Sequence, residues 1–256
     1  MDWLEAALGR IESDLDPITE AAEAAARALV DGREIGVRGE AGLANELAYR
    51  TGGLMLFHGG PGEGGDLILY GFGVTTRDHP RASELLAAQL ADAEGLKAKG
   101  SVVIGIASIA QLESLGLSRR AERVCRILLD NHAPAGDGLF RRPDDGGGHL
   151  VPTFTTTNAA VAWAWCAELF AACTRHGRTP AVWPDSTGPY RKLKFHRHPS
   201  LRFHARTIDP IGKGVLGRAY LKKLRAVVRD VATASWPQGG ICFAQPPPIC
   251  WGHERW

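Results

Sequence analysis

Apolar positions recur with helical spacing in some stretches of the chain and run together in others, and the two patterns alternate. Trp3, Leu4, Leu8 and Ile11 share one side of an amphipathic opening stretch, Met1 to Leu15, which either covers the domain or packs on a second subunit. Asp16-Pro17 is the expected N-cap and first-position pair of the next helix, whose Ile18, Ala21, Ala22, Ala25 and Leu29 repeat at helical spacing until Gly32. Five short runs read as strands: Glu34–Arg38, Gly52–Phe57, Asp66–Tyr70, Ser101–Ile106 and Cys125–Asp130. Ser101-Val-Val-Ile-Gly-Ile106 is almost wholly apolar, the mark of a strand buried on both faces. Helices are expected over Leu43–Arg50 and from Pro80 through Leu85, Leu86 and Leu90 to Lys99-Gly100. Strands alternating with helices predict a parallel sheet covered on both sides.

The pattern then changes. Ala133 to Val151 is rich in Gly, Pro and Asp and reads as an irregular excursion or hairpin. Thr155-Thr-Thr-Asn158 offers caps to a helix that is apolar almost all round from Ala159 to Cys173 and ends at Gly177. A helix without a polar face is a central one, and Glu168 inside it requires a partner, by default an arginine. A last helix is expected over Leu216–Val231, followed by a tail with three tryptophans. The chain divides accordingly into an αβα unit over 1–186 and a segment over 187–256 packed on it.

Composition narrows the functional classes. A chain of 256 residues with 45% hydrophobic and 23% charged residues is ordinary for a folded protein with a full core. A net charge of +2 demands neither nucleic acid nor an anionic membrane. The five cysteines lack CxxC spacing, which favours reduced thiols in a cytoplasm over a disulfide framework or a zinc site. The longest apolar run, Ala159 to Ala167, falls short of the roughly 20 residues of a membrane span, and no export signal opens the chain.

Candidate chemistry concentrates in Glu34-Ile-Gly-Val-Arg-Gly-Glu-Ala-Gly-Leu-Ala-Asn-Glu-Leu-Ala-Tyr-Arg-Thr-Gly-Gly53. A strand, a tight glycine turn at Gly39, Glu40, Ala41 and Gly42, and a helix point amide hydrogens at an anion beyond the carboxyl end of the strand. Gly39-x-x-Gly42 lacks the GxGxxG spacing of a dinucleotide site. Ala22–Val37 with Gly39–Leu54, together with Ser101–Ser108, Leu129-Asp-Asn-His-Ala-Pro-Ala-Gly-Asp137 and Pro152-Thr-Phe-Thr-Thr-Thr157, resembles the SIS, or sugar isomerase, domain family in its small bacterial phosphosugar-binding branch. The resemblance spans Asp16 to Ser186. It implies a five-stranded parallel sheet in a three-layer αβα sandwich with flavodoxin-like strand order, usually dimeric, holding a sugar phosphate at the strand ends. It implies phosphate contacts from Gly39–Gly42, from Thr75, Thr76 and Arg77, and from Thr155, Thr156 and Thr157. The chain departs from the family in lacking the serine of the first loop, where Glu40 adds a carboxylate, and in placing Thr76 at a frequent glycine position.

Each candidate has a structural alternative. Glu46, at a position resembling the family's base, either removes a proton beside a carbonyl or pairs with Arg50 one turn on. Thr75, Thr76 and Arg77, like Thr155 to Thr157, are phosphate ligands or helix caps. His132 is a general acid or a polar residue at a strand end. His196 and His198 sit among Lys and Arg that oppose a dication, so no metal is expected. Tyr190 to Arg206, with six Lys or Arg, three His and no acid, contacts phosphates or is a solvated loop. The sequence thus predicts a phosphosugar-binding protein, without cofactor or metal, as a homodimer in the cytoplasm. It is either an aldose–ketose isomerase working through an enediolate or a non-catalytic sensor or interaction module on the same fold.

Overall fold

The apolar runs become a parallel sheet in the computed structural model, which describes residues 2–49, 53–57, 66–74, 81–135, 140–141, 149–150, 153–182 and 202–233. Strands β1 (Ile35–Gly39), β2 (Leu67–Gly71), β3 (Val102–Ala107) and β4 (Ile127–Asp130) lie side by side in that order. The register sets Val37, Leu69, Ile104 and Ile127 in one row across the sheet, and Arg38, Tyr70, Gly105 and Leu128 in the next. Successive rows face opposite layers.

The first row meets helices α2 (Leu15–Val30), α3 (Ala41–Tyr49) and α7 (Phe154–Arg175); the second meets α4 (Ala82–Ala98), α5 (Ile109–Ser114) and α6 (Ser118–Val124). Three layers result, with helices on both faces of a parallel sheet. α1 (Asp2–Ser13) and α8 (Val215–Thr233) form a further pair outside α7. α7 is therefore enclosed, and Val161, Trp165, Leu169 and Cys173 are wholly buried. Each large apolar side chain so enclosed contributes about 1.5–3 kcal/mol. Alanines on the inner face of α2 (Ala21, Ala22, Ala25 and Ala26) lose all exposure and let α7 approach closely. Among the described residues no helix is long and apolar enough to cross a membrane.

The structure departs from the sequence pattern at several points. The expected strand over Gly52–Phe57 is represented, within residues 53–57, by one parallel bridge from Phe57 to Ile35 on the outer edge of β1. Asp16 and Pro17 are not the cap of α2: the helix begins at Leu15, after Asp14, and Pro17 lies in a first turn where its missing N–H has no intrahelical acceptor to lose. α7 starts at Phe154, so Thr155 to Thr157 belong to its first turn rather than preceding it. Helices α5 and α6 escape the periodicity because six and seven residues make under two turns. The excursion does contain a hairpin, with β5 (Phe140–Arg141) antiparallel to β6 (His149–Leu150).

Glu168 requires the plainest correction. Its carboxylate is buried, and it faces no arginine: Oε2 accepts the Gly214 amide at 2.8 Å and Oε1 the Gly217 amide at 2.7 Å. These are amides at the start of α8, which lack intrahelical acceptors and carry the positive end of the helix dipole. An acid in the middle of one helix thus caps the N-terminus of another. The segment leading into α8 is tied to α7 by the Thr174 hydroxyl, which accepts the Ile211 amide at 3.0 Å, and to the chain just beyond α7 by the Thr179 hydroxyl, which accepts the Ile208 amide at 3.1 Å.

Candidate functional site

The first βα corner forms where the sequence placed it. Gly39 takes φ +89°, and a Cβ there would stand 2.1 Å from the Gly71 carbonyl oxygen and 2.7 Å from the Tyr70 ring, so only glycine fits. The Glu40 amide donates to the Gly71 oxygen at 2.9 Å, and the chain turns directly into α3. The helix start is an anion cradle, and it is filled from within. Glu40 Oε1 accepts the Gly42 amide at 2.7 Å and Oε2 the Leu43 amide at 2.8 Å. The residue that replaces the expected hydroxyl is itself the anion, and it satisfies the amides a phosphate would use.

The neighbouring strand ends are closely packed. A Cβ on Gly71 would lie 2.5 Å from the Leu43 side chain, and one on Gly73 would lie 2.4 Å from the Phe154 ring. The Gln89 amide clamps Gly73 on both sides, accepting its N–H at 3.0 Å and donating to its carbonyl at 2.9 Å. Thr75, Thr76 and Arg77 lie outside the described residues. On the first turn of α7, Thr155 and Thr156 face solvent. Thr157 is buried, and its hydroxyl donates to the carbonyls of Thr153 and Phe154, each at 3.2 Å.

Glu46 lies on the flank of α3 that faces α7, where its carboxylate accepts the Trp163 indole N–H at 3.0 Å. Trp163 is five residues, about 7.5 Å of helix, beyond Asn158, the α7 residue that meets the strand ends. Beside it the Tyr220 hydroxyl is pushed up to about 12 by burial, and by the Cys166 and Glu46 charges. The pairing with Arg50 lies outside the described residues.

His132, just beyond β4, has φ 55° and is held from two sides. Nδ1 is 3.1 Å from Asp130 Oδ2 and Nε2 is 2.8 Å from Asp14 Oδ2. Two carboxylates can only accept, so the ring is an imidazolium donating from both nitrogens. The hydrogen bond to Asp130 raises its pKa above the ordinary value; burial opposes, and the charges of Asp130 and Asp14 add to the rise. Asp130 is desolvated, yet the His132 contacts hold its pKa below the usual carboxylate value.

A buried polar seam joins the same strand ends, and no sequence reasoning assigned it a role. Asn131 Nδ2 donates to Asn158 Oδ1 at 2.7 Å, Asn131 Oδ1 accepts the Ala133 amide at 2.8 Å, and the Ser108 hydroxyl donates to the Ala133 carbonyl at 2.6 Å. Both asparagines are wholly buried. The available signal was a polar side chain directly after each apolar run, Ser108 after β3 and Asn131 after β4. Among the described residues no three His, Cys, Asp or Glu side chains gather at metal-binding distance. His196, His198 and most of the basic segment lie outside them.

Fold and site together define an open-sheet α/β protein whose first βα corner is capped by its own carboxylate. Compared with known proteins, the chain matches no family model and no curated sequence.

Proposed function

We propose that this protein is a non-catalytic sugar-phosphate-binding module of the SIS type. The observation that carries this reading is the state of two carboxylates of the Glu34–Gly53 stretch, Glu40 and Glu46. Glu40 is engaged by the first amides of α3, and Glu46 is bonded to the Trp163 indole, about 7.5 Å along α7 beyond Asn158, which meets the strand ends. Enediolate chemistry needs a base within about 2.6–3.2 Å of the proton it removes. His132 has both ring nitrogens committed to carboxylates. The binding half of the reading rests on the resemblance, on the parallel sheet, and on the solvent-facing hydroxyls of Thr155 and Thr156 on the first turn of α7. With Thr75, Thr76 and Arg77 they form the proposed phosphate contacts. The Phe57 bridge on the outer side of β1 favours a fifth strand there, which gives the flavodoxin-like order. The buried free thiols of Cys125, Cys166 and Cys173 suit a reducing cytoplasm, and the homodimer follows the resemblance.

Sugar phosphates incubated with the protein in deuterium oxide test both halves. The expected result is thermal stabilisation without exchange at the sugar C2; ligand at 100 times Kd adds about 2.7 kcal/mol. Exchange that Glu46→Gln abolishes would overturn the non-catalytic half. A flat melting temperature across all sugar phosphates would overturn the binding half.

A further inference from the structure

A groove of about 570 Å³ runs along α2 beside β4, the edge strand of the described sheet. It is of the size that small-molecule sites occupy. One end is bounded by Arg27 and Asp31 near the end of α2, by Arg33 just beyond it, and by Asp66 and Arg126 where β2 and β4 begin. Asp16, Thr19 and Glu20, from the first turns of α2, line the other end opposite Lys213 and Arg218. Asp66 is turned away toward β1, where its Oδ2 accepts the Glu34 amide at 2.9 Å. Arg27, Arg33 and Arg126 make no ion pair and no side-chain hydrogen bond among the described residues. Three guanidiniums therefore meet the carboxylates of Glu23, Asp31 and Asp66, of which Glu23 is engaged by Arg175 and Asp66 by the Glu34 amide. Each guanidinium offers a planar fork of donors that matches phosphate oxygens.

We propose that this arginine end of the groove is a second anion site, taking the phosphate of a phosphorylated polyol whose hydroxyls reach the acceptors Asp16, Thr19 and Glu20. The site lies at the amino ends of the strands, away from the corner that Glu40 fills, and does not depend on the strand-end contacts proposed above. All three arginines are exposed, so neutral substitutions there leave the core intact.

The test uses inorganic phosphate and glucose 6-phosphate, against sodium chloride at matched ionic strength, in a background carrying Thr75→Ala, Thr76→Ala, Arg77→Gln, Thr155→Ala and Thr156→Ala, which removes the side-chain contacts of the strand-end site. Both probes are expected to raise the melting temperature of this variant above the chloride control, glucose 6-phosphate more than phosphate. Adding Arg33→Gln and Arg126→Gln is expected to weaken the response tenfold or more. A background variant that responds only as it does to chloride, or a response that survives the arginine substitutions, overturns the groove site. The comparison of wild type with that background variant reads the strand-end site separately.

Discussion

The Glu168 carboxylate, from the interior of α7, accepts the Gly217 amide at 2.7 Å on the first turn of α8. A Cβ on Gly217 would stand 2.8 Å from Leu15 Cδ1 and 3.0 Å from Glu168 Cγ, so the contact requires glycine on one side and a carboxylate on the other. Glu168→Ala leaves buried amides without acceptors, at about 1–3 kcal/mol each. Gly217→Ala overpacks the same junction, at about 1–3 kcal/mol. Both variants are expected to lower the urea midpoint. A Glu168→Ala midpoint equal to wild type would show that water replaces the carboxylate without loss.

Glu40 caps α3 with two amide hydrogen bonds. Its replacement by alanine is expected to cost about 1 kcal/mol, as losing a helix cap does. The loss should be local. Hydrogen exchange at Gly42 and Leu43 is expected to quicken while the amides of β3 keep their protection. Unchanged exchange at those two positions would count against the cap.

The Asp14–His132–Asp130 cluster makes stability depend on pH. The folded-state pKa of His132 is raised above its ordinary 6.5, so its contribution is fully present below that value and is lost as pH rises through the folded pKa. Asp130 is lowered below 3.8, so its contribution is present above that value and is lost as pH falls through the folded pKa. The cluster is therefore most stabilising between about pH 4 and 6.5. His132→Gln is expected to flatten the decline in unfolding free energy above pH 6.5; an unaltered slope would exclude the cluster as its source.

Burial pushes the thiols of Cys125 and Cys173 up to about 12 and raises that of Cys166 as well. Thiolate is the reactive form, so iodoacetamide at pH 8 is expected to leave all three unmodified in the native protein. Mass mapping after labelling in urea should find them alkylated. Native labelling at Cys166, which is 3% exposed, would mean that α7 opens readily.

Much of the architecture was legible in the pattern of residues. Four of the five apolar runs became strands within about two positions, because a run buried on both faces has few other stable arrangements. The enclosed helix was visible in its lack of a polar face, and the corner at Gly39 in the abrupt end of a β-branched run. Those features depend on near neighbours along the chain. The sequence also placed Glu40 and Glu46 in and after that corner, with no indication of which way either would turn.

Tertiary structure alone decided what those polar groups meet. Glu40 bonds two and three residues away, but Glu46 finds an indole 117 positions on, His132 a carboxylate 118 positions back, and Glu168 an amide 49 positions on. Local spacing cannot rank such partners, because a buried polar group takes whichever complementary atom the packed helices bring within about 3 Å. The same holds for the groove along α2. Arg27 and Arg33 come from the end of α2 and just beyond it, Arg126 from just before β4 much further along the chain, and the layering of helix on sheet brings them to one end of one surface.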